Sequence, residues 1–333
     1  LSGVLNATGR FAAAAAAPVL LNVLLVSGMA AAAWIGGDVA RTLIWMIPIA
    51  GLAQMALVWV AASRAGFSIK PEWPRMTPEL SKLVRIAIPA ALAGGVVQIN
   101  LLVGQQVASY FDKAVGWLYA ADRLYQLPLG VVGIAVGIVL LPDLSRRLKA
   151  KDDDGARDAF SRASEIALGL TIPSAVALIV IPLPLVSVLF QRGAATADDS
   201  AAIAVAVTIY GLGLPAFVLQ KILQPLFFAR EDTQSPFRYA VIAMVINAAV
   251  ALGLAPVIGW IAPAIATTLA AWAMVAFLGV GARRMGTVAR FDARFHRRIW
   301  RIVAASLLMG AVLWISSVSL SPFLGMAGWR YLA

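Results

Sequence analysis

The chain has 333 residues, of which 61% are hydrophobic and 13% are charged, and its mean hydropathy is +0.87. A soluble domain is about 45–50% apolar and about 25% charged, so this composition excludes an ordinary soluble domain and indicates a polytopic membrane protein. The absence of cysteine excludes disulfides and thiolate metal sites, and the net charge of +11 is carried mostly by loops between apolar runs, which indicates membrane topology rather than nucleic-acid binding.

Apolar runs of about 20 residues can cross a bilayer, and they predict nine complete spans. In chain order these cover about 11–35, 42–63, 83–111, 114–141, 164–190, 200–229, 237–255, 260–282 and 299–320. Span five contains three prolines, which we expect to break it: Pro173, Pro182 and Pro184. The polar stretches at 64–82, 144–162 and 285–298 are predicted to be linkers or loops.

The distribution of the 27 lysines and arginines predicts the orientation of the chain. Most of them precede span one or follow spans two, four, six and eight, whereas the alternate connections hold only Arg41, Lys113, Arg192 and Arg330. Because basic loops stay in the cytoplasm, the basic set is predicted to be cytoplasmic. The chain begins at Leu1 inside a helix-like run, so we expect a fragment that lacks its natural N-terminus.

Span four carries charged and polar residues inside its apolar run, at Asp122, Arg123 and Gln126. A charge at the centre of a membrane helix costs about 2.5–3.5 kcal/mol on insertion scales, so these side chains are expected to face protein or water. Asp122 and Gln126 are four residues apart and share one helix face. The alternative is a purely structural ion pair between neighbouring helices, but ionisable residues within a membrane favour a functional interpretation.

Span six carries Lys221 about halfway along, with Gln224 close by. A lysine there can face a cavity, extend towards the cytoplasmic end, or pair with Asp122, the one acidic residue well inside a span. Two cations and one anion leave a net positive charge, which suits a phosphate or a diphosphate. We therefore expect an aqueous, positively charged cavity that binds an anionic headgroup.

Other polar residues allow weaker predictions. Asn100 in span three, with its neighbouring glutamines, either bonds to adjacent helices, which we favour, or lines the same cavity. The acidic run at 152–154 is interpreted as a solvated loop rather than a metal site, and His296 as a solvated loop residue. Nucleophile, metalloprotease and nucleotide-binding motifs are missing from the sequence. We therefore predict a protein that is not an enzyme and has no cofactor.

Four segments carry a family resemblance: ADRLYQLPLGVVGIAVGIVLLPDLSRRL, SGVLNATGRFAAAAAAPVLLN, QINLLVGQQVASYF and LPAFVLQKILQPLFFAREDTQSP. With them the chain resembles the lipid II flippase family (MurJ/MviN) of the MOP superfamily over nearly its whole length. The resemblance implies an all-α transmembrane bundle, part of a two-lobed, fourteen-helix transporter around a cationic cavity. Such a protein of the bacterial inner membrane moves the lipid-linked peptidoglycan precursor from the inner to the outer leaflet by alternating access.

The resemblance also implies a domain organisation. Residues 1–63 would be the end of the N-lobe (family helices four to six), 64–82 a cytoplasmic linker, 83–284 helices seven to twelve of the C-lobe, and 285–333 a basic linker with helix thirteen. Asp122 and Arg123 match the family's Asp-Arg pair in helix eight, and Lys221 matches its helix-ten lysine. The resemblance thus implies a substrate site of Arg123, Asp122, Lys221, Gln126, Asn100 and Gln224.

Two departures from the family qualify these expectations. Gln126 stands where some members have glutamate, so an acidic role is not expected there. Some members have an acidic residue in helix seven that is linked to sodium, whereas span three has none; we therefore expect the membrane potential, and not sodium, to drive transport. The expected partners are lipid II, membrane lipids and cell-wall synthesis proteins, with no nucleic acid.

Two rival functions stay open. One is another exporter of the same superfamily, for polysaccharide-linked lipids or drugs, although a cation-drug exporter would favour a negative cavity. The other is a membrane scaffold for cell-wall enzymes that transports nothing. In a scaffold, neutralising Arg123 and Asp122 together would be tolerated.

Overall fold

The computed structural model describes residues 5, 11–67, 81, 95, 98–135 and 140–320, and within them the chain is helical with no strand. The helices are α1 (Phe11–Trp34), α2 (Val39–Arg64), α3 (helical over 98–108), α4 (Ala114–Ala135), α5 (Leu141–Lys149), α6 (Asp153–Val180), α7 (Pro182–Phe190), α8 (Ala197–Phe228), α9 (Gln234–Ile258), α10 (Ala262–Arg283) and α11 (Ala293–Leu320). The predicted all-α class is confirmed. Most of the 64–82 linker, the start of predicted span three and the end of span four lie outside the described residues.

Six segments of this described part are long and apolar enough to cross a membrane. They are Ala15–Trp34, Val39–Arg64, Asp153–Val180, Ala197–Phe228, Gln234–Arg283 and Gly286–Ser319. The fifth contains both α9 and α10. The predicted multi-pass membrane protein is therefore confirmed. Spans three and four continue into residues that are not described, so the number nine stays a prediction.

The chain divides into two compact units, Leu1–Lys82 and Leu83–Ala333. In the first, α1 and α2 form a helical hairpin whose turn includes Gly36 at φ +67°. Asp38 caps α2 by accepting a hydrogen bond from the backbone N–H of Arg41. Gln54 donates from its side chain to the carbonyl of Ala17 at 2.7 Å, which joins the two helices.

Helix α8 is the centre of the second unit, where it packs against α4, α6, α7 and α10. Its small residues allow this close approach. A Cβ at Gly211 would lie 3.2 Å from the Cβ of Leu178 on α6, and one at Gly213 would lie 2.9 Å from the hydroxyl of Thr268 on α10. Without these two glycines α8 could not approach both neighbours so closely, and the core would open.

The predicted loop at 144–162 is wrong, because α5 and the first turns of α6 occupy it. Leu144 of α5 is fully buried while Asp143 binds Arg146 and Arg147, so this short helix has one apolar and one charged face. The acidic run interpreted as a solvated loop begins a helix instead. Asp152 accepts from the backbone N–H of Gly155 at 2.9 Å and so caps α6.

Two further boundaries differ from the sequence prediction. Of the three prolines in span five, Pro173 stays inside α6, and the break falls at Ile181, directly before Pro182. The predicted linker 285–298 already becomes helical at Ala293. There the ring of Phe291 stacks on that of Phe295 at 4.0 Å between centroids and packs on α6 through Phe160.

Candidate functional site

A cavity of about 250 Å³ lies in the second unit between α3, α4, α8 and α10. Its lining includes four of the six predicted site residues, namely Asn100, Asp122, Arg123 and Gln126. The rest of the lining comprises Leu101, Gly104, Gln105, Ala108, Val115, Leu118, Tyr119, Tyr125, Tyr210, Pro263 and Thr267. The structure therefore brings the polar residues of span four together with Asn100, for which interhelical bonding was the favoured interpretation.

The sequence of α4 explains why its polar residues face this space. One face carries Ala114, Leu118, Ala121, Leu124 and Tyr125, all buried. The polar residues lie on another face: Tyr119, Asp122, Arg123 and Gln126. At about 100° per residue the two sets occupy different sides of the helix, so burying the apolar set turns the polar set towards the cavity.

Aromatic packing fixes the middle of α4 against α8. The ring of Tyr125 lies 4.9 Å from that of Tyr210 and is stacked on that of Phe217 at 5.0 Å, both measured between centroids. Tyr125 and Tyr210 are buried and also line the cavity. Such aromatic pairs add about 0.5–1.5 kcal/mol beyond the area that they bury, so this packing is a firm attachment point.

The charged groups form a chain of hydrogen bonds along α4. Arg123 donates to the hydroxyl of Tyr119 and, at 3.5 Å, to the side-chain oxygen of Gln126. The amide of Gln126 in turn donates to the carboxylate of Asp122. The guanidinium carbon of Arg123 also lies 4.5 Å from the centre of the Tyr119 ring. Arg123 lines the cavity, so its remaining donors are available to a ligand.

A direct ion pair of Asp122 with Arg123 or Lys221 is not formed among the described residues, although the sequence made Asp122 the expected partner of one of them. The reason is geometric for Arg123. Adjacent helix residues point about 100° apart, whereas Gln126 lies one turn from both side chains and can bond to each. Gln126 therefore acts as a neutral bridge between the two charges.

The α10 side of the cavity is polar as well. Thr267 lines it and lies 3.2 Å from the side-chain nitrogen of Asn247, which is buried on α9. The side-chain oxygens of Asn100 and Asn247 are buried and accept no hydrogen bond within the described residues. Asn100 lines the cavity and Asn247 bonds to Thr267 from behind the wall, so this side of the cavity is polar.

Lys221 and Gln224 do not line this cavity. Lys221 is exposed and Gln224 half-buried on α8, and within the described part of the chain neither side chain has a hydrogen bond or an ion pair. Tyr210, Phe217 and Lys221 are spaced by seven and four residues, so they share one face of α8. Lys221 therefore lies on the side of α8 that faces α4, one turn beyond the aromatic packing.

Sequence reasoning did not select Tyr119, Tyr210 or Thr267 as site residues. A signal existed for Tyr119, because it lies four residues before Arg123 and hence one turn away on the same helix. Tyr210 and Thr267 come from other helices. Their approach to α4 depends on tertiary packing, which no local spacing indicates.

The chain is similar to known proteins over almost all its length. The family model described as Lipid II flippase MurJ matches residues 1–331. A curated relative from Rhizobium tropici, a probable lipid II flippase MurJ, is 43% identical over 98% of this chain and 61% of its own length. The probable lipid II flippase MurJ of Vibrio cholerae is 33% identical over 94% of this chain and 60% of its own length. The chain thus spans about three fifths of these relatives.

A solved structure agrees with the fold. The structure entitled Lipid II flippase MurJ, inward closed conformation, has a TM-score of 0.77 with 24% sequence identity. The match covers 94% of this chain and 63% of that chain. At this identity the likeness supports the fold alone.

Proposed function

We propose, from the premise that this chain belongs to the lipid II flippase MurJ family, that it takes part in moving lipid II across the bacterial inner membrane. The matched relatives are transporters by name, not enzymes. The observation that carries the proposal is the cavity in which Arg123 presents free guanidinium donors beside Asp122 and Gln126. A guanidinium binds phosphate through parallel hydrogen bonds, so the diphosphate is the part of lipid II that fits it.

In this proposal Arg123 is the electrostatic clamp and Asp122 orients it through Gln126. The Tyr119 hydroxyl and ring hold the guanidinium in the cavity while no phosphate is bound. Asn100 lines the cavity, and its amide group would meet a hydroxyl or amide of the headgroup. The sugar and peptide parts of lipid II carry many such donors.

Lys221 provides a second positive contact at another depth. Because Tyr125 packs between Tyr210 and Phe217, helix rise puts Lys221 roughly 14 Å from Arg123 along the bundle. In the orientation that the basic loops predict, Lys221 is nearer the cytoplasm. A diphosphate is too short to bridge that distance, so we propose that the headgroup meets Lys221 first and Arg123 afterwards, with Gln224 beside the first contact.

The driving force in this proposal is the membrane potential. Moving one charge across the field is worth about 2.3 kcal/mol per 100 mV, which is enough to bias an anionic cargo or a charged cavity. The described part of α3 carries no carboxylate that could bind a cation. Replacing sodium by potassium should therefore leave transport unchanged, while dissipating the potential should slow it.

Complementation tests this function. The full-length protein is expressed in cells depleted of their own lipid II flippase, and lipid II on the outer face of the inner membrane is followed. Restored exposure of lipid II and restored growth are expected. An inserted, stable protein that restores neither would favour an exporter of another lipid-linked sugar, and growth without lipid II transport would favour a scaffold.

A further inference from the structure

One carboxylate ties the N-terminal end of α4 to α8. Asp199, in the first turn of α8, is only 8% exposed. Its Oδ1 accepts from the indole of Trp117 at 3.0 Å and from the ammonium of Lys113 at 3.3 Å. Its Oδ2 accepts from the backbone N–H and the hydroxyl of Thr196, at 2.9 and 2.8 Å. All four partners are donors, so the site requires a group with acceptors only.

The contacts around Asp199 reach further helices. The indole of Trp117 meets that of Trp260, in the turn between α9 and α10, edge to face at 5.0 Å between centroids. Lys113 has φ +59°, a conformation that costs free energy in any residue with a side chain. Side-chain contacts, rather than backbone preference, therefore hold the turn that leads into α4.

The position of Trp117 on α4 allows its contact with Asp199 to fix the rotation of the helix. Nine residues separate Trp117 from Gln126, and at about 100° per residue they point to opposite sides of the helix. The contact with Asp199 therefore holds α4 on the side opposite its cavity face. Rotation of α4 would break that contact and would at the same time turn Asp122 and Arg123 away from the cavity.

We propose that Asp199 is a positioning residue, which sets the rotation of α4 so that Asp122, Arg123 and Gln126 face the substrate. Its role in transport rests on the function proposed above. The Tyr125 packing is the second attachment point, about two turns along α4 from Trp117. The Trp117 contact and the Tyr125 packing together prevent α4 from rotating about its axis. The aromatic packing alone is less directional, because stacked rings can slide over one another.

Chemical labelling tests the rotation directly, without any substrate. Because these 333 residues contain no cysteine, Gln126→Cys reports on the cavity face, and Leu127→Cys, outside the cavity lining, reports on its neighbour. Each is combined with Asp199→Asn, an isosteric change that directs an NH₂ group at two donors. The matched control is Asp198→Asn, an exposed carboxylate in the same turn with no bond in the described part of the chain.

A membrane-impermeant maleimide should label the thiol introduced by Gln126→Cys at least about threefold more slowly when Asp199→Asn is also present, because the helix has lost charge-assisted bonds. The thiol introduced by Leu127→Cys should be labelled faster in the same background. Asp198→Asn should leave both rates unchanged. Trp117→Phe removes one donor and keeps an aromatic ring, so it should change each rate in the direction that Asp199→Asn does, but by less. Combined with Asp199→Asn it should add little.

Unchanged labelling at both positions in Asp199→Asn and Trp117→Phe would overturn the proposal. So would a lowered melting temperature with an unaltered ratio of the two rates, since that is the mark of a purely structural joint. The flippase function is tested separately. It fails if the protein with native Asp199 moves no lipid II, even though Asp199→Asn changes the labelling rates as described.

Discussion

The guanidinium of Arg123 lies over the ring of Tyr119, 4.5 Å from its centre, and also donates to the hydroxyl of the same tyrosine. The two residues are one turn apart on α4, so the helix itself pairs them. An arginine next to apolar helices would otherwise extend towards water or lipid headgroups. In the proposed function, Tyr119 keeps the charge inside the cavity until an anion replaces the hydroxyl as its partner.

Separate changes at Tyr119 should distinguish the ring from the hydroxyl. Tyr119→Phe keeps the cation–π contact, worth roughly 0.5–1 kcal/mol, and loses only the hydroxyl that a bound anion would replace, so we expect lipid II binding to weaken by about twofold or less. Tyr119→Leu removes both contacts and should weaken binding about fivefold or more. Equal effects of Phe and Leu in a binding titration would show that the ring does not hold Arg123.

The bridge through Gln126 leads to a prediction for Asp122. Asp122→Asn keeps a side-chain oxygen that can accept from Gln126, so transport should fall only a few-fold. Asp122→Leu leaves the Gln126 amide without this partner and should cost about tenfold, as expected for a lost hydrogen bond to a charged group. Transport rates in proteoliposomes check this order. A protein in which Asn is as harmful as Leu would indicate that the charge of Asp122 matters directly.

The ion pairs between α6 and α11 should govern stability rather than transport. Glu165 is buried and accepts from Arg294 at 3.0 Å and from Arg298 at 2.8 Å. Glu165→Gln should lower the melting temperature by about 5 °C, since charge-assisted bonds are lost. Arg162→Gln breaks the exposed 2.8 Å pair with Asp158 and serves as the control, with a much smaller expected change. Similar melting curves for both variants would contradict this account.

Asp143 on α5 makes a pH-dependent contribution to the folding stability of the chain. Partial burial opposes its ionisation, but hydrogen bonds from Arg147 and Arg146 outweigh it and hold the pKa of Asp143 below its ordinary value of 3.8. A lowered pKa in the folded state stabilises the fold above the ordinary pKa, and this stabilisation is lost as pH falls through the lowered value. Asp143→Asn should therefore lower the melting temperature at a pH of about 6, and the difference from the native protein should shrink towards a pH of about 3. A constant difference would exclude this linkage.

The sequence predicts the membrane class, the helical fold and the polar face of α4 because each depends on local spacing and hydropathy. For Asn100 it gives lining of the cavity only as the less favoured alternative to interhelical bonding. The relation between Lys221 and Arg123 could not be predicted, since it depends on how α8 slides along α4. Likewise, Asp199 looks like an ordinary helix-start residue in sequence, and only the fold brings Trp117 and Lys113 into contact with it.

The boundary errors have a common physical cause. Charged stretches at 144–162 and 285–298 were expected to be loops because they are too polar to cross a membrane. Most of 144–162 and the end of 285–298 form helices because their polar faces meet water or a charged partner, as where Arg147 pairs with Asp143 and Arg298 pairs with Glu165. Helical structure needs a periodic apolar face, not an apolar composition.

The measurement that tests the central claim most directly is lipid II translocation by full-length protein in proteoliposomes, comparing the native chain with Arg123→Ala and Lys221→Ala. Arg192→Ala is the matched control, an exposed arginine of the α7–α8 connection that donates to the carbonyl of Val188 on α7. We predict at least about a tenfold loss for Arg123→Ala, a smaller loss for Lys221→Ala and no loss for the control, because a guanidinium–phosphate contact is worth roughly 1.5–3 kcal/mol. Native translocation rates in both Arg123→Ala and Lys221→Ala, at equal insertion, would contradict the account.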